Sequence, residues 1–238
     1  MLAFDYWLLP AASIVLTYML TSHTLLIFDI FQPSWYKSRE ISQRPRITFE
    51  LYTRVISKTL SHFFISFIIG ASLWYFCATK VPEVPSLSQA CFQIIICYFF
   101  AELFFWTSHF IVHQPALYKR FHALHHAFPR PIALVSMYCS NWEMIFINLP
   151  ISILMPALLQ MHPILNSLWS SGLTFYIVMK HCGHNITPKW LLDAEYHDVH
   201  HSTAKGNYGL KMIDELYVAN QKKLERFSLF QRIVKGSL

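Results

Sequence analysis

Residues 144–179 read MIFINLPISILMPALLQMHPILNSLWSSGLTFYIVM, a run of 36 residues without one charged side chain. A bilayer core asks for about 20 apolar residues per helix. Pro150, Pro156 and Pro163 interrupt the run, and proline kinks or ends a helix because it lacks the backbone donor. The stretch therefore reads as two helices of 16 residues, 144–159 and 164–179, joined by a turn at Gln160-Met161-His162-Pro163. Each would be about 24 Å long at 1.5 Å per residue. That length suits a short crossing or a re-entrant hairpin. Either way the chain leaves and returns on one side. The segments before and after the hairpin must then share a face.

Three more runs have membrane length. Residues 7–27 and 60–79 carry no charge, and residues 88–106 carry one, Glu102. Composition agrees: the 238 residues are 54% hydrophobic and 13% charged, against about 25% charged in a typical soluble domain. The net charge of +6 is spread over several loops rather than gathered in a tail. It suits an anionic membrane surface, and no nucleic-acid partner is expected. Lys and Arg number six in residues 32–60, three in 107–143 and nine in 180–238, but one, Lys80, in 80–87. The positive-inside rule puts residues 80–87 outside and the other loops in the cytosol. The five cysteines include no CxxC pair and read as small buried hydrophobes. No cleavable leader is expected at the N-terminus.

Both segments flanking the hairpin are rich in histidine. FHALHHAF at 121–128 precedes it, and YHDVHH at 196–201 follows it. Ten of the 13 histidines fall in four groups: His109 and His113; His122, His125 and His126; His181 and His184; His197, His200 and His201. Isolated His23, His62 and His162 read as structural. On a helix, positions i, i+3 and i+4 share a face, so each cluster is expected to present its imidazoles together. On that reading Phe121 and Phe128 form the apolar side of an interfacial helix. Crowded imidazoles repel when protonated, and a metal ion, which binds the neutral ring, removes the conflict. Ten ligands exceed one four-coordinate ion and suit two ions with open positions. Neutral nitrogen donors accept iron, zinc or copper. A zinc hydrolase would want the glutamate base of HExxH, which is absent. A transporter would string ligands along a crossing path, whereas these lie outside the apolar spans; a non-enzymatic membrane metal-binding protein is the reading left beside an enzyme. Glu102 lies seven and eleven residues before His109 and His113, on the same helix face and about 10 Å deeper. It reads as a pocket group.

At these residues the chain resembles the membrane-bound fatty acid hydroxylase superfamily, which includes sterol desaturases and sterol methyl oxidases. HFIVH (109–113), HALHH (122–126) and HDVHH (197–201) match its HxxxH, HxxHH and HxxHH boxes. HCGH resembles its extra His-x-Gly element, carried by His181, with Lys180 where an acidic residue is usual. MYCSNWE, ending at Trp142-Glu143, and HHSTAKGNYG, with Asn207 and Tyr208, resemble the closes of the second and third boxes. DELYVAN lacks the usual Gly-Thr. The aromatic approach AELFFWTSHFIVHQPALYKRFH looks most like the branch of cholesterol 25-hydroxylase-like proteins.

The resemblance implies an all-α integral membrane bundle with a cytosolic, histidine-rich helical cap around a dinuclear metal site. It divides the chain into N-terminal membrane helices with a cytosolic loop (1–87), a catalytic domain (88–217) and a cytosolic tail (218–238). It implies two iron ions held by the ten grouped histidines, with Glu102, Trp142, Glu143, Asn207 and Tyr208 around them. It implies O₂-dependent hydroxylation of a sterol, or desaturation of an acyl chain or sterol on the same oxidant, in the endoplasmic reticulum membrane. No GxGxxG fingerprint is present, so electrons are expected from an external NAD(P)H-dependent reductase, often through cytochrome b5. Lys211, Lys222 and Lys223 are the expected docking charges.

Overall fold

The computed structural model of the chain describes residues 3–43, 47–77, 83–209 and 211–234. Arg44, Arg46 and Lys80, part of the loop-charge argument, lie outside the described residues. Among those described, no strand forms; a single bridge pairs Glu40 with His184. The helices are α1 (Ala3–Phe31), α2 (Ser34–Lys37), α3 (Phe49–Cys77), α4 (Leu87–Val112), α5 (Pro115–Phe121), α6 (Asn141–Glu143), α7 (Leu149–Leu158), α8 (Pro163–Lys180), α9 (Ala194–Thr203) and α10 (Lys211–Val234).

The hairpin forms where expected. Gln160 takes a left-handed φ of 46° at the turn. Pro163 opens α8 at a first-turn position, where its missing N–H costs nothing, and the His162 ring accepts from the Ile164 N–H at 3.3 Å. The first arm is longer than expected. It begins at Asn141 and passes through a π-turn at Met144–Asn148 into α7, giving a largely apolar span of 18 residues.

α3 and α4 run past their expected bounds. α3 starts at Phe49 instead of residue 60, because Val55 is fully buried against Ile132, Leu134 and Val135. Arg54 and Lys58 therefore ride on a helix rather than a loop, and the Lys58 ammonium donates to Asn141 Oδ1 at 2.7 Å. α4 starts on a capping box: the Gln89 N–H donates to Ser86 Oγ, and the Ser86 N–H donates to Gln89 Oε1. It runs on to Val112 and so carries His109 on its last turns. α10 passes without a break through the expected boundary at residue 217.

α1 lies against α8 and α3. Trp7, Trp74, Leu149, Ile153 and Ala157 form one core layer, and Tyr18, Phe63, Met137 and Val178 another. Gly70 is required where α1 crosses α3, because a methyl group there would overlap the Trp7 indole. Outward faces stay apolar: Leu20, Phe64, Phe99, Leu103 and Leu168 are each more than 60% exposed. Side chains of this kind need lipid around them. Among the described residues four helices are long and apolar enough to cross a bilayer, Trp7–Phe31, Phe49–Phe76, Leu87–Val112 and Asn141–Leu158. The chain is a multi-pass membrane protein. At one end of the bundle α1, α4 and α8 end while α3 and α7 begin, and there the histidines collect.

Candidate metal centre

The second histidine box does not form the expected helix. α5 stops at His122, and after a turn His125–Ala127 make a single 3₁₀ turn. Pro129 and Pro131 follow, and a residue before proline is pushed out of the α region; Phe128 is extended, at φ −116° and ψ 92°. His122 and His126 thus face one way and His125 the other. The two phenylalanines part as well: Phe121 meets Trp142 edge-on, while Phe128 packs on Tyr138 inside the bundle. The third box is helical, as expected. Asp193 caps α9 by accepting from the Tyr196 N–H at 3.0 Å, and Ala204 ends it in the left-handed region.

Nine of the ten grouped histidines meet in two sets. His109, His113, His122, His126 and His200 form the first; His125, His181, His197 and His201 form the second. Within each set the potential ligand atoms lie within 4.8 Å of one another. The sets touch, the His126 ring lying 4.6 Å from that of His201. Both HxxHH boxes are split between them.

Hydrogen bonds fix the tautomers. The Nδ1 of His109 lies 2.5 Å from the Tyr208 carbonyl, that of His200 2.6 Å from the Gly206 carbonyl and that of His181 2.7 Å from the Ile177 carbonyl. A carbonyl only accepts, so each Nδ1 carries the proton and each Nε2 a bare lone pair. Yet the Nε2 atoms of His109 and His200 face each other at 3.1 Å. Two lone pairs at that distance have no proton between them, and a cation is what such a pair fits. In the second set, neither ring nitrogen of His201, only 3% exposed, has a hydrogen-bond partner among the described residues. The residues therefore fit a metal in each set. A closed structural zinc site takes four ligands and usually includes cysteine; the five-histidine set does not match that pattern.

Burial keeps these rings neutral. It holds His113, His122 and His126 down to about 3 and His181 to about 4, and it pushes His125, His197, His200 and His201 well below the ordinary range, neighbouring imidazoles adding to the effect. Because the folded values lie under the unfolded one, the apoprotein is most stable above about pH 6.5. Below it, each such histidine costs about 1.4 kcal/mol per pH unit until its folded value is reached. Acidification from pH 7 to 5 should lower the apoprotein's unfolding midpoint steeply, and should release metal from the loaded protein. A flat midpoint across that range, read by circular dichroism, would contradict the burial of these rings.

The expected surrounding residues fare unequally. Glu143 is buried, with Oε1 3.0 Å from His122 Nδ1; Ser140 Oγ accepts from its N–H and donates to the Phe121 carbonyl, tying α6 to α5. Tyr208 supplies the carbonyl for His109 and sets its ring 5.1 Å from His113. Asn207 donates its side-chain amide to the Tyr196 carbonyl at 3.0 Å, bracing the loop. Trp142 is half exposed, stacked on Phe146, and does not reach the histidines. His184 is not brought to either set. Its ring stacks on Tyr36 at 3.7 Å, and its Nδ1 lies 3.0 Å from the Cys182 carbonyl. The reason is local: Gly183 at φ 71° turns the chain out of α8, and Ile41 and Asn185 backbone bonds tie the segment to residues 39–41.

One residue escaped the sequence reading. Asp214, buried on the first turn of α10, accepts from Trp106 Nε1, the Tyr196 hydroxyl and the Tyr208 N–H at 3.0–3.1 Å and from the Gly209 N–H at 3.2 Å. It thereby holds the loop whose carbonyls orient His109 and His200. Its sequence signal was slight, one acid just past the third box.

Next to the histidines lies a cavity walled by Ala101, Phe105, Ile147, Ile151, Leu173 and Ile177. Glu102 and Lys180 line it too. The cavity shares Ala101, Glu102, Leu173 and Tyr176 with a groove between α4 and α8, lined further by Ile94, Tyr98, Leu165, Leu168 and Trp169.

The fatty acid hydroxylase family model matches residues 94–218, the stretch that holds every histidine of both sets. Relatives include fatty acid hydroxylase ahd1 of Mycosarcoma maydis, 28% identical over 85% of this chain and 56% of that protein. Methylsterol monooxygenase 2-2 of Arabidopsis thaliana is 30% identical over 74% of this chain and 69% of its own length. A cholesterol 25-hydroxylase-like protein of Danio rerio is 26% identical over 71% of both chains. The chain thus spans little more than half the length of the first of these. No solved structure matches. With its boxes gathered into two buried imidazole sets at one end of a membrane bundle, the chain belongs to the fatty acid hydroxylase family.

Proposed function

We propose that this chain is a membrane-bound di-iron monooxygenase that hydroxylates a sterol, using O₂ and electrons from an external donor. One observation carries the reading: five plus four imidazoles, all but His113 buried, beside a largely apolar cavity that shares its walls with a groove between α4 and α8. When bound, iron would supply the activation of O₂ needed to oxidise an unactivated C–H bond. The chain's own residues do the rest. The carbonyls of Tyr208, Gly206 and Ile177 keep three Nδ1 atoms protonated and so keep the opposite nitrogens available as ligands. Phe105, Ile147, Ile151 and Leu173 exclude water and guide an apolar substrate. A simple metal-binding protein would have no use for such a cavity.

Relatives named for cholesterol 25-hydroxylation and methylsterol oxidation support a sterol substrate. The endoplasmic reticulum, a cytosolic site and a reductase acting with cytochrome b5 belong to the same proposal. Lys211 and Lys222 are exposed on α10 and available to an acidic donor; the side chain of Lys223 lies outside the described residues. Lipid profiling of membranes with and without the chain, supplied with sterols and fatty acids, tests the function. A sterol that gains one oxygen atom is expected. A product that instead loses two hydrogens would make the chain a desaturase on the same centre.

A further inference from the structure

Two ionisable side chains near the centre are used neither as ligands nor to orient ligands. Glu102, from α4, and Lys180, the last residue of α8, both line the metal-side cavity. Both are half-buried, and neither forms an ion pair or hydrogen bond among the described residues. The Lys180 ammonium does not turn outward to solvent. It folds back 4.8 Å over the Tyr176 ring, one helical turn closer to the membrane interior. Tyr176, Glu102, Ala101 and Leu173 line the cavity and the lipid-facing groove alike. An acid and an ammonium therefore stand where the cavity and the groove share their walls, among Ala101, Leu173 and Tyr176.

A charge in such surroundings is costly unless a partner answers it. We propose that Glu102 and Lys180 are a head-group clamp that selects a neutral lipid alcohol, an inference that rests on the sterol hydroxylase reading and deepens it. A hydroxyl satisfies both residues at once, its O–H donating to the carboxylate and its oxygen accepting from the ammonium. A ketone accepts from Lys180 and leaves Glu102 without a donor. A fatty-acid carboxylate sets a second negative charge beside Glu102. A quaternary ammonium head meets Lys180.

The test uses the metal-loaded full chain in phosphatidylcholine nanodiscs without reductant, so that binding is read apart from turnover. Tritiated cholesterol, its 3-ketone and oleate are the probes. Wild type should hold the alcohol roughly tenfold or more tighter than the ketone, the size expected for a hydrogen bond to a charged group. Glu102→Leu should bring alcohol and ketone together, Glu102→Gln should tighten oleate about tenfold, and Lys180→Met should weaken the alcohol. Metal content equal to wild type shows that each variant is folded at the site. If Glu102→Leu holds its metals and still prefers the alcohol as wild type does, the clamp is wrong while the hydroxylase reading stands. If wild type binds none of the three above empty nanodiscs, both fall.

Discussion

His200→Ala and His122→Ala should each leave the chain with about one metal ion and cut product formation by roughly 100-fold or more, since even residues that merely support ligands cost 10–100-fold when lost. The reason is where these rings sit. His122 Nε2 lies 2.9 Å and His200 Nε2 3.1 Å from His109 Nε2, at the centre of the five-imidazole set. Their loss leaves the second set, His125, His181, His197 and His201, intact. His201→Ala should do the converse. His184→Ala is the informative comparison, because its ring is spent on Tyr36 and the Cys182 carbonyl. It should keep both metals and turn over normally. Metal counting by mass spectrometry beside product analysis reads all four variants. Loss of metal in His184→Ala with retention in His200→Ala would refute the five-plus-four division.

Asp214→Ala should behave like a ligand mutant although it touches no ligand. It strands four donors, Trp106 Nε1, the Tyr196 hydroxyl and the N–H groups of Tyr208 and Gly209. Each buried donor left without a partner costs about 1–3 kcal/mol, so a loss of at least ~3 kcal/mol in stability is expected. The loop would also lose its grip on the carbonyls that orient His109 and His200, weakening metal binding in the first set by roughly 10–100-fold. Asp214→Asn keeps one acceptor oxygen and should fall between wild type and alanine. A stable Asp214→Ala variant with both metals bound at wild-type strength would show that the loop holds its shape unaided.

Much of the architecture was legible in the linear chain because the bilayer simplifies the problem. A 36-residue uncharged run punctuated by prolines can do little but form helices in lipid, and the hairpin follows. Helix ends were read less well. Charge counting stopped α3 at residue 60, whereas Val55 packs into the core and draws the helix back to Phe49. At the metal centre the right residue types were visible, but two local assumptions failed. HALHH looked like one helical face until Pro129 and Pro131 were weighed, and His184 looked like a ligand until Gly183 turned the chain away.

Taken alone, the amino-acid order determined that this chain lives in a membrane, that its histidine clusters share a side of it, and that those clusters call for metal. Spacing along one helix sets which side chains are neighbours, and hydropathy sets what the bilayer will accept; both are local properties. Which histidine serves which set was decided only in three dimensions. His122 and His125 are three residues apart yet belong to different sets, while His109 and His200, 91 residues apart, come within 3.1 Å. The 3₁₀ turn at His125–Ala127, together with the meeting of α4, α8 and α9 at one end of the bundle, makes that division. Tertiary packing also brings Asp214 under the ligand loop and Glu102 of α4 and Lys180 of α8 to one cavity.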